Sequence, residues 1–474
     1  MASELDAPLY NRIVSLNKNG GCPMHMPGHK RNTDFIRDNL LTLDFTEIEG
    51  TDNMHHPEDV ILQAEERLAQ LNGCDRSLFL INGGSSGILT AILGTVGEGD
   101  KIIVCRNAHK SVHNALVLSD AVPVYIYPEV LYSSVTGSIT PQELESAFTL
   151  YPDAKAVLVT SPTYEGYTAD IAALADVAHR HNAVLIADET HGAHFVFSSA
   201  FPKSAISMGA DISINSWHKT LPCPNQSAVI NINTKRGDMA RIMAAYSMVQ
   251  STSPSYIMLA LMDKMRAQLT QDKSIFEDYI KNLTQVRTAL AELKGMRLIN
   301  KESFNAKSVC DYDISKLVLL TGKNFSGKTL AQILLKEYNV QIELADPWHI
   351  IAMTSCADTK ESLMHFAAAI REIDRELDEY QPCNITVGYG GITSPVISPR
   401  RAFYGRYEQA DIELSAGLIA GECITPFPPD IPLIITGERI TGRQLELLEH
   451  YRKSGTTLIG GENGKIKVIK EERI

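Results

Sequence analysis

Two stretches of this 474-residue chain have the residue types of a phosphate site, and an acid and a lysine lie between them. The stretch "NGGSSGILTAILG" (82–94) follows an apolar run and opens a helical pattern. Its glycines let backbone approach an anion closely, Ser85 and Ser86 add hydroxyl donors, and a helix N-terminus favours negative charge. The octet "GKNFSGKT" (322–329) fits the P-loop pattern G-x-x-x-x-G-K-[ST] at every position. Asp188 closes the run "AVLIAD", and Lys219 stands in "SWHKT", just after the run "DISINS". Taken singly, Asp188 reads as a strand-end cap and Lys219 as a solvated lysine. As an ordered set, a phosphate loop, an acid and a lysine suit pyridoxal phosphate. The lysine amine condenses with its aldehyde, and the carboxylate keeps the pyridine nitrogen protonated so that the ring accepts electrons.

Positioning these residues requires strands that end on one side. The runs "SLFLI" (77–81), "KIIVC" (101–105), "VPVYIY" (122–127), "KAVLVTS" (155–161), "AVLIAD" (183–188), "DISINS" (211–216) and "SAVINI" (227–232) read as strands. Helical patterns lie between several of them. One spans about 61–71 and stops at Asn72-Gly73. One opens on the capping box Thr140-Pro141-Gln142-Glu143, and one covers Ile171 to His181. Alternating strands and helices predict an α/β fold with a large, mostly parallel sheet covered on both faces, where ligands sit at the carboxyl ends of strands. A helical stretch over 254–295 leads to a smaller α/β domain with strands near 316–320, 340–344 and 349–354. The expected division is an N-terminal arm and helices (1–70), a large domain (71–300), a small domain (301–395) and a C-terminal region at the substrate mouth (396–474).

The same elements give the octet a plain explanation. "KLVLL" is a strand, Ser326 an N-cap, and Leu330, Ile333, Leu334 and Tyr338 one apolar helix face. A working P-loop also needs a carboxylate for magnesium on a neighbouring strand. The strand after the octet, "HIIAM", ends in Thr354 with no acid.

Bulk properties narrow the function. The formal net charge of −12 argues against nucleic acid or an anionic membrane as the main partner and is compatible with a cationic small substrate. Eight scattered cysteines without a C-x-x-C pair predict neither a metal site nor a disulfide framework. No apolar signal core and no run of 18 uncharged apolar residues is present, so the expected location is the cytoplasm.

The motifs "MPGHK" (26–30), "MHHP" (54–57), "NGGSSG" (82–87), "RNAHKS" (106–111), "TSPTYEG" (160–166), "ADETHGAH" (187–194), "SWHKTLP" (216–222), "QSTSPSY" (250–256) and "PFPPDIPL" (426–433) occur in one order along the chain. In this the sequence resembles the Orn/Lys/Arg decarboxylases of fold type I, the aspartate-aminotransferase fold, in their short form. The resemblance covers nearly the whole chain. It implies a pyridoxal-phosphate-dependent decarboxylase of arginine, lysine or ornithine, with arginine favoured by the short form, feeding polyamine metabolism. It implies that Lys219 carries the cofactor, Asp188 pairs with its pyridinium and His109 stacks on its ring. His191 falls near the phenolic oxygen, and Ser85, Ser86, Ser216 and His218 at phosphate-binding positions; both histidines also suit a buried core. Lys219 or a nearby histidine returns a proton to the substrate. Glu422 is the expected acceptor for the substrate's distal cation, with a surface glutamate as the alternative. A homodimer with shared sites is implied, in which Thr252 and Ser253 reach the other subunit's cofactor. Three positions depart from the pattern: the Gly-Gly-Ser-Ser-Gly loop, Glu165 where Asp or Tyr is common, and Phe427 where Tyr is usual. These bear on the substrate rather than the cofactor. Another lyase or aminotransferase on the same fold, a binder of the cofactor without turnover, and a P-loop nucleotide-binding protein are the alternatives.

Overall fold

The seven Val- and Ile-rich runs form strands within a residue of the expected limits, because each is buried along almost its whole length. The computed structural model describes residues 5–18, 40–383, 391–427, 430–453 and 455–470. The "MPGHK" motif and Pro428-Pro429 lie outside the described residues. The chain packs as two units, each assembled from separate segments. The first comprises Met1–Gly94, Glu189–Ile280 and Ser355–Ala357; the second comprises Thr95–Asp188, Lys281–Thr354 and Asp358–Ile474.

In the second unit, Lys101–Cys105 runs parallel to both Val122–Ile126 and Ala154–Thr160, and the latter runs parallel to Val184–Asp188. Helices Lys110–Ser119, Pro141–Leu150 and Ile171–Arg180 make the crossovers that parallel strands require. The second of these carries the expected capping box. Thr140 accepts from the Glu143 amide, and the Glu143 carboxylate accepts from the Thr140 amide at 2.7 Å. Ile392–Thr393 adds an antiparallel edge beside Val122–Ile126.

The strands of the first unit are antiparallel, where a mostly parallel sheet is the sequence expectation. Arg76–Leu80 pairs with Ala228–Ile232, which pairs with Ile212–Asn215. Residues 216–227 connect the last two strands and hold one short helix, Trp217–Thr220, and the chain turns back on itself to pair them. Helix Val60–Asn72 ends where expected, at Gly73 in the left-handed conformation (φ 68°). The helical stretch at 254–295 divides into Tyr256–Gln271 and Ser274–Ala289, and Asp272 accepts from the Ser274 amide at the break.

The small antiparallel sheet of the second unit orders Arg297–Leu298, Lys316–Leu320, His349–Met353 and Leu344–Ala345. The strand expected at 340–344 contracts to Leu344–Ala345, because Asn339 caps the preceding helix in the left-handed region (φ 53°) and the chain needs several residues to recover. Towards the C-terminus, Tyr407–Asp411 pairs with Lys465–Ile469 and Thr425–Phe427 with Thr457–Ile459. Ala420, Ile424, Ile434, Leu447, Leu448, Ile466 and Val468 form a core of their own there.

Candidate active site

In the first unit the sequence brings a lysine, two histidines and a Gly-Ser loop to the ends of buried strands. Strand Ile212–Asn215 runs into Ser216, which caps the short helix carrying Lys219. Lys219 is half-buried, and its Nζ lies 3.2 Å from His191 Nε2 and 3.4 Å from Thr190 Oγ1. The helix Gly83–Thr95 opens on Gly83, which adopts φ 73° and donates its amide to the Gln226 carbonyl. A side chain at Gly84 would run into Ser216 Oγ and would stand 2.8 Å from Thr190 Cγ2. Glycine here is therefore what lets the first helical turn approach the Lys219 segment. The amides of that turn have no acceptor inside the helix.

These residues fit the phosphate and aldehyde of pyridoxal phosphate. Helix amides and the buried Ser216 face one end, and a lysine amine with a histidine partner faces the other. Ser85 is exposed, whereas Ser86 is buried and donates its hydroxyl to the Gly83 carbonyl at 2.8 Å. The Ser86 hydroxyl proton thus braces the loop, and the loop's amides are left to meet an anion. His218 Nδ1 faces the Ser227 carbonyl at 3.1 Å and must carry the proton there. Burial holds its pKa below the ordinary value, the carbonyl pulls it back up, and the neighbouring Lys219 charge depresses it further. A neutral His218 presents a lone pair at Nε2, so it meets a phosphate dianion only when a proton is added to the ring or to the phosphate.

The second unit holds Asp188, His109 and Glu422. Asp188 ends its strand, is 3% exposed, and accepts the Ser161 amide on its carbonyl at 3.0 Å. His109 caps helix Lys110–Ser119, with Nδ1 accepting from the Ser111 amide. Its proton therefore sits on Nε2, which faces Asp430 Oδ2 at 3.7 Å. Asp430 also binds Lys110 Nζ at 2.6 Å. Sequence reasoning missed Asp430. It lies more than three hundred residues beyond His109, and only its place in the quoted "PFPPDIPL" motif marked it. Beneath this cluster Arg106, buried, donates to the Pro432 and Leu433 carbonyls at 2.6 and 3.1 Å and approaches Glu438 at 3.4 Å. One guanidinium thus fastens the C-terminal region to the "RNAHKS" segment.

Glu422 already has a cation. Its Oε1 accepts the Lys467 amide at 2.8 Å, and its Oε2 lies 3.9 Å from Lys467 Nζ.

The P-loop octet does not form an anion cradle. Its strand lies in an antiparallel sheet. The Lys323 and Gly327 amides donate to the Gln381 and Pro347 carbonyls, and the Lys328 amide donates to Ser326 Oγ. A Cβ at Gly327 would meet the His349 and Asp346 carbonyl oxygens. Negative carbonyl ends therefore line the place a phosphate needs. Lys328 Nζ donates to Thr456 Oγ1 at 3.0 Å.

Comparison with known proteins points the same way as the Lys219 geometry. The profile of the Orn/Lys/Arg decarboxylase major domain matches residues 7–362. An arginine decarboxylase of Halalkalibacterium halodurans is 32% identical, over 99% of this chain and 99% of the relative. An arginine decarboxylase of Bacillus subtilis is 31% identical with the same coverage. Among solved structures, the Francisella novicida lysine decarboxylase superposes with a TM-score of 0.84 at 19% identity, covering 98% of this chain and 82% of that one. At that identity the likeness shows the fold, an α/β fold of the kind expected.

Proposed function

We propose, from the premise that this chain belongs to the Orn/Lys/Arg decarboxylase family, that it is a pyridoxal-phosphate-dependent arginine decarboxylase releasing agmatine and carbon dioxide. Decarboxylation of a basic amino acid comes with the family. The choice of arginine rests on the relatives named arginine decarboxylase that match end to end. The single observation that carries the chemistry is the Lys219 amine, 3.2 Å from His191 and one segment from the Gly84–Ser216 approach.

Pyridoxal phosphate, when bound, supplies the electron sink for the pair left behind as the bond between Cα and the carboxylate breaks. In this reading Lys219 would hold the cofactor through its aldehyde, Asp188 would keep the pyridine nitrogen protonated, His109 would offer its ring face, and His191 would serve the phenolic oxygen. Ser216, Ser85 and His218 would hold the phosphate with the helix amides, and Ser86 would brace the loop that presents them. The overall change consumes one proton at Cα and releases carbon dioxide. In this reading Lys219 Nζ delivers that proton and His191 Nε2, 3.2 Å away, replenishes it. Glu422 receives the guanidinium, which requires exchange with Lys467. We assign the protein to the cytoplasm as a homodimer with shared sites, feeding polyamine metabolism.

Incubating the cofactor-loaded protein with arginine, lysine and ornithine tests this reading. Agmatine should dominate, and borohydride should fix the cofactor to Lys219. A keto acid product, or no amine from any of the three, overturns it. Glu422→Gln should raise KM for arginine about tenfold or more with little change in kcat, because it removes a charge-assisted contact.

A further inference from the structure

The first unit carries a row of buried polar side chains through strands that are otherwise apolar. Ser77 pairs in register with Asn231, and Asn231 with Ser213. Asn215 lies two residues beyond Ser213, on the same face. All four are at most 5% exposed. They bond in a chain. Ser77 Oγ donates to Asn231 Oδ1 at 2.7 Å, and Asn231 Nδ2 donates to Asn215 Oδ1 at 2.6 Å and to Ser213 Oγ at 3.1 Å. Asn215 Nδ2 then donates to Glu189, to the carboxyl at 3.1 Å and to the backbone carbonyl at 3.2 Å. Buried polar groups of this kind hold one geometry when satisfied and are costly when not.

The row ends at the turn beside Lys219. Glu189 is 1% exposed, and its other oxygen accepts the Ala205 amide at 2.7 Å. Its carbonyl accepts the Gly192 amide at 2.9 Å, closing the turn that holds Thr190 and His191. A Cβ at Gly192 would stand 2.8 Å from Glu189 Cγ, so the turn is packed on this side chain. Asn215 is the residue before Ser216, at the start of the segment that carries Lys219. One carboxyl therefore joins the two segments whose tips meet at 3.2 and 3.4 Å.

We infer that Glu189 is a positioning residue for the Lys219 amine, fixing Thr190 and His191 against it through the buried Asn215–Asn231–Ser77 row. This rests on the proposed function only for its kinetic readout. Burial pushes the Glu189 carboxyl up to about 8, with the Ala205 amide and Asn215 opposing. Each carboxyl oxygen accepts a hydrogen bond, Oε1 from the Ala205 amide and Oε2 from Asn215 Nδ2, so a glutamine, whose NH2 cannot accept, keeps the reach of the side chain but only one of the two bonds.

The test measures the pH at which Lys219 becomes reactive towards an amine-labelling reagent in cofactor-free protein, read by peptide mass spectrometry, and in parallel kcat and KM for decarboxylation. Glu189→Ala and Glu189→Asp, which withdraws the carboxyl by one methylene, should shift the Lys219 labelling profile. Both should lower kcat at least tenfold, with KM within threefold. Glu189→Gln, which loses one of the two accepted bonds, should shift the labelling profile in the same direction but less far than Glu189→Ala. If Glu189→Ala does not fold, Glu189→Asp and Glu189→Gln decide. A folded Glu189→Asp or a folded Glu189→Gln with the parent profile overturns the inference. If the unaltered protein forms no amine from any basic amino acid, the functional reading fails, while the labelling profiles still decide the role of Glu189.

Discussion

His218 shows how one hydrogen bond fixes a titration. Its Nδ1 proton is committed to the Ser227 carbonyl, and burial keeps the ring neutral. A phosphate dianion at Nε2 asks for the opposite, since only the doubly protonated ring can donate to it. With His218 on the phosphate, as proposed, binding the cofactor would take up a proton. Cofactor affinity should fall as pH rises past the ordinary imidazole range, and His218→Gln should flatten that dependence, as measured by cofactor titration at a series of pH values. Gly84 makes a second demand at this scale. Gly84→Ala places a methyl against Ser216 Oγ and Thr190. It should weaken cofactor binding by about tenfold or more while the protein stays folded, because the loop, not the core, must give way.

At the scale of elements, the helix Val60–Asn72 contains an exception to its own pattern. Its buried face reads Val60, Ile61, Ala64, Glu65, Leu68, Ala69 and Asn72. Neither oxygen of Glu65 makes a well-formed hydrogen bond, and burial pushes its carboxyl up to about 8, against the pull of the Phe79 amide and the Arg76 charge. The folded protein thus holds this proton in a range where the unfolded chain, near 4.5, has lost it. Stability from this group is fully present below the unfolded value and is lost as pH rises through the folded one. Glu65→Met should raise the thermal midpoint at about pH 8 and shrink the loss of stability between about pH 5 and about pH 8, by on the order of a few kcal/mol. Urea unfolding of both proteins across that range checks it, and Glu189 leaves a residual dependence of the same sign in each.

Elements were also the most legible part of the sequence. Runs such as "KIIVC" are buried on both faces and so are apolar throughout, which makes them visible without any partner in hand. The direction of a strand carries no such local mark. The antiparallel order of Arg76–Leu80, Ala228–Ile232 and Ile212–Asn215 lies in how the strands pair, which their composition does not record. At the site, the Gly-Ser loop and Lys219 were legible because backbone approach and an amine each require one residue type. Asn215, Asn231 and Ser77 were not, because their meaning lies in cross-strand register across some 150 residues of chain. Glu422 illustrates the converse. Its acidity was legible, and its partner Lys467, on the strand Lys465–Ile469, was not.

For the molecule as a whole, the open question is where one site's residues end and another chain's begin. Thr252 and Ser253 stand exposed on a turn in which Ser251 Oγ accepts the Ser253 amide, and the Ser251 carbonyl meets His55 Nε2 at 2.8 Å. Ser251 thus holds the turn in shape, with Thr252 and Ser253 exposed on it. In the proposed homodimer they would reach the cofactor of the other subunit, which carries a phosphate. Thr252→Glu then sets a negative charge against a phosphate in the other chain and should abolish activity, as Lys219→Ala does in its own chain. Neither variant works alone, yet a mixture should. In a mixed dimer, one site pairs the intact Lys219 of one chain with the intact Thr252 of the other. Random re-association makes half of the dimers mixed, each with one sound site of two, so about a quarter of full activity should return. Mixing the two purified variants, exchanging subunits and measuring amine release distinguishes the cases. A site built within a single chain returns no activity, since each chain then carries its own lesion, and an active Thr252→Glu homodimer shows that the turn does not reach a phosphate at all.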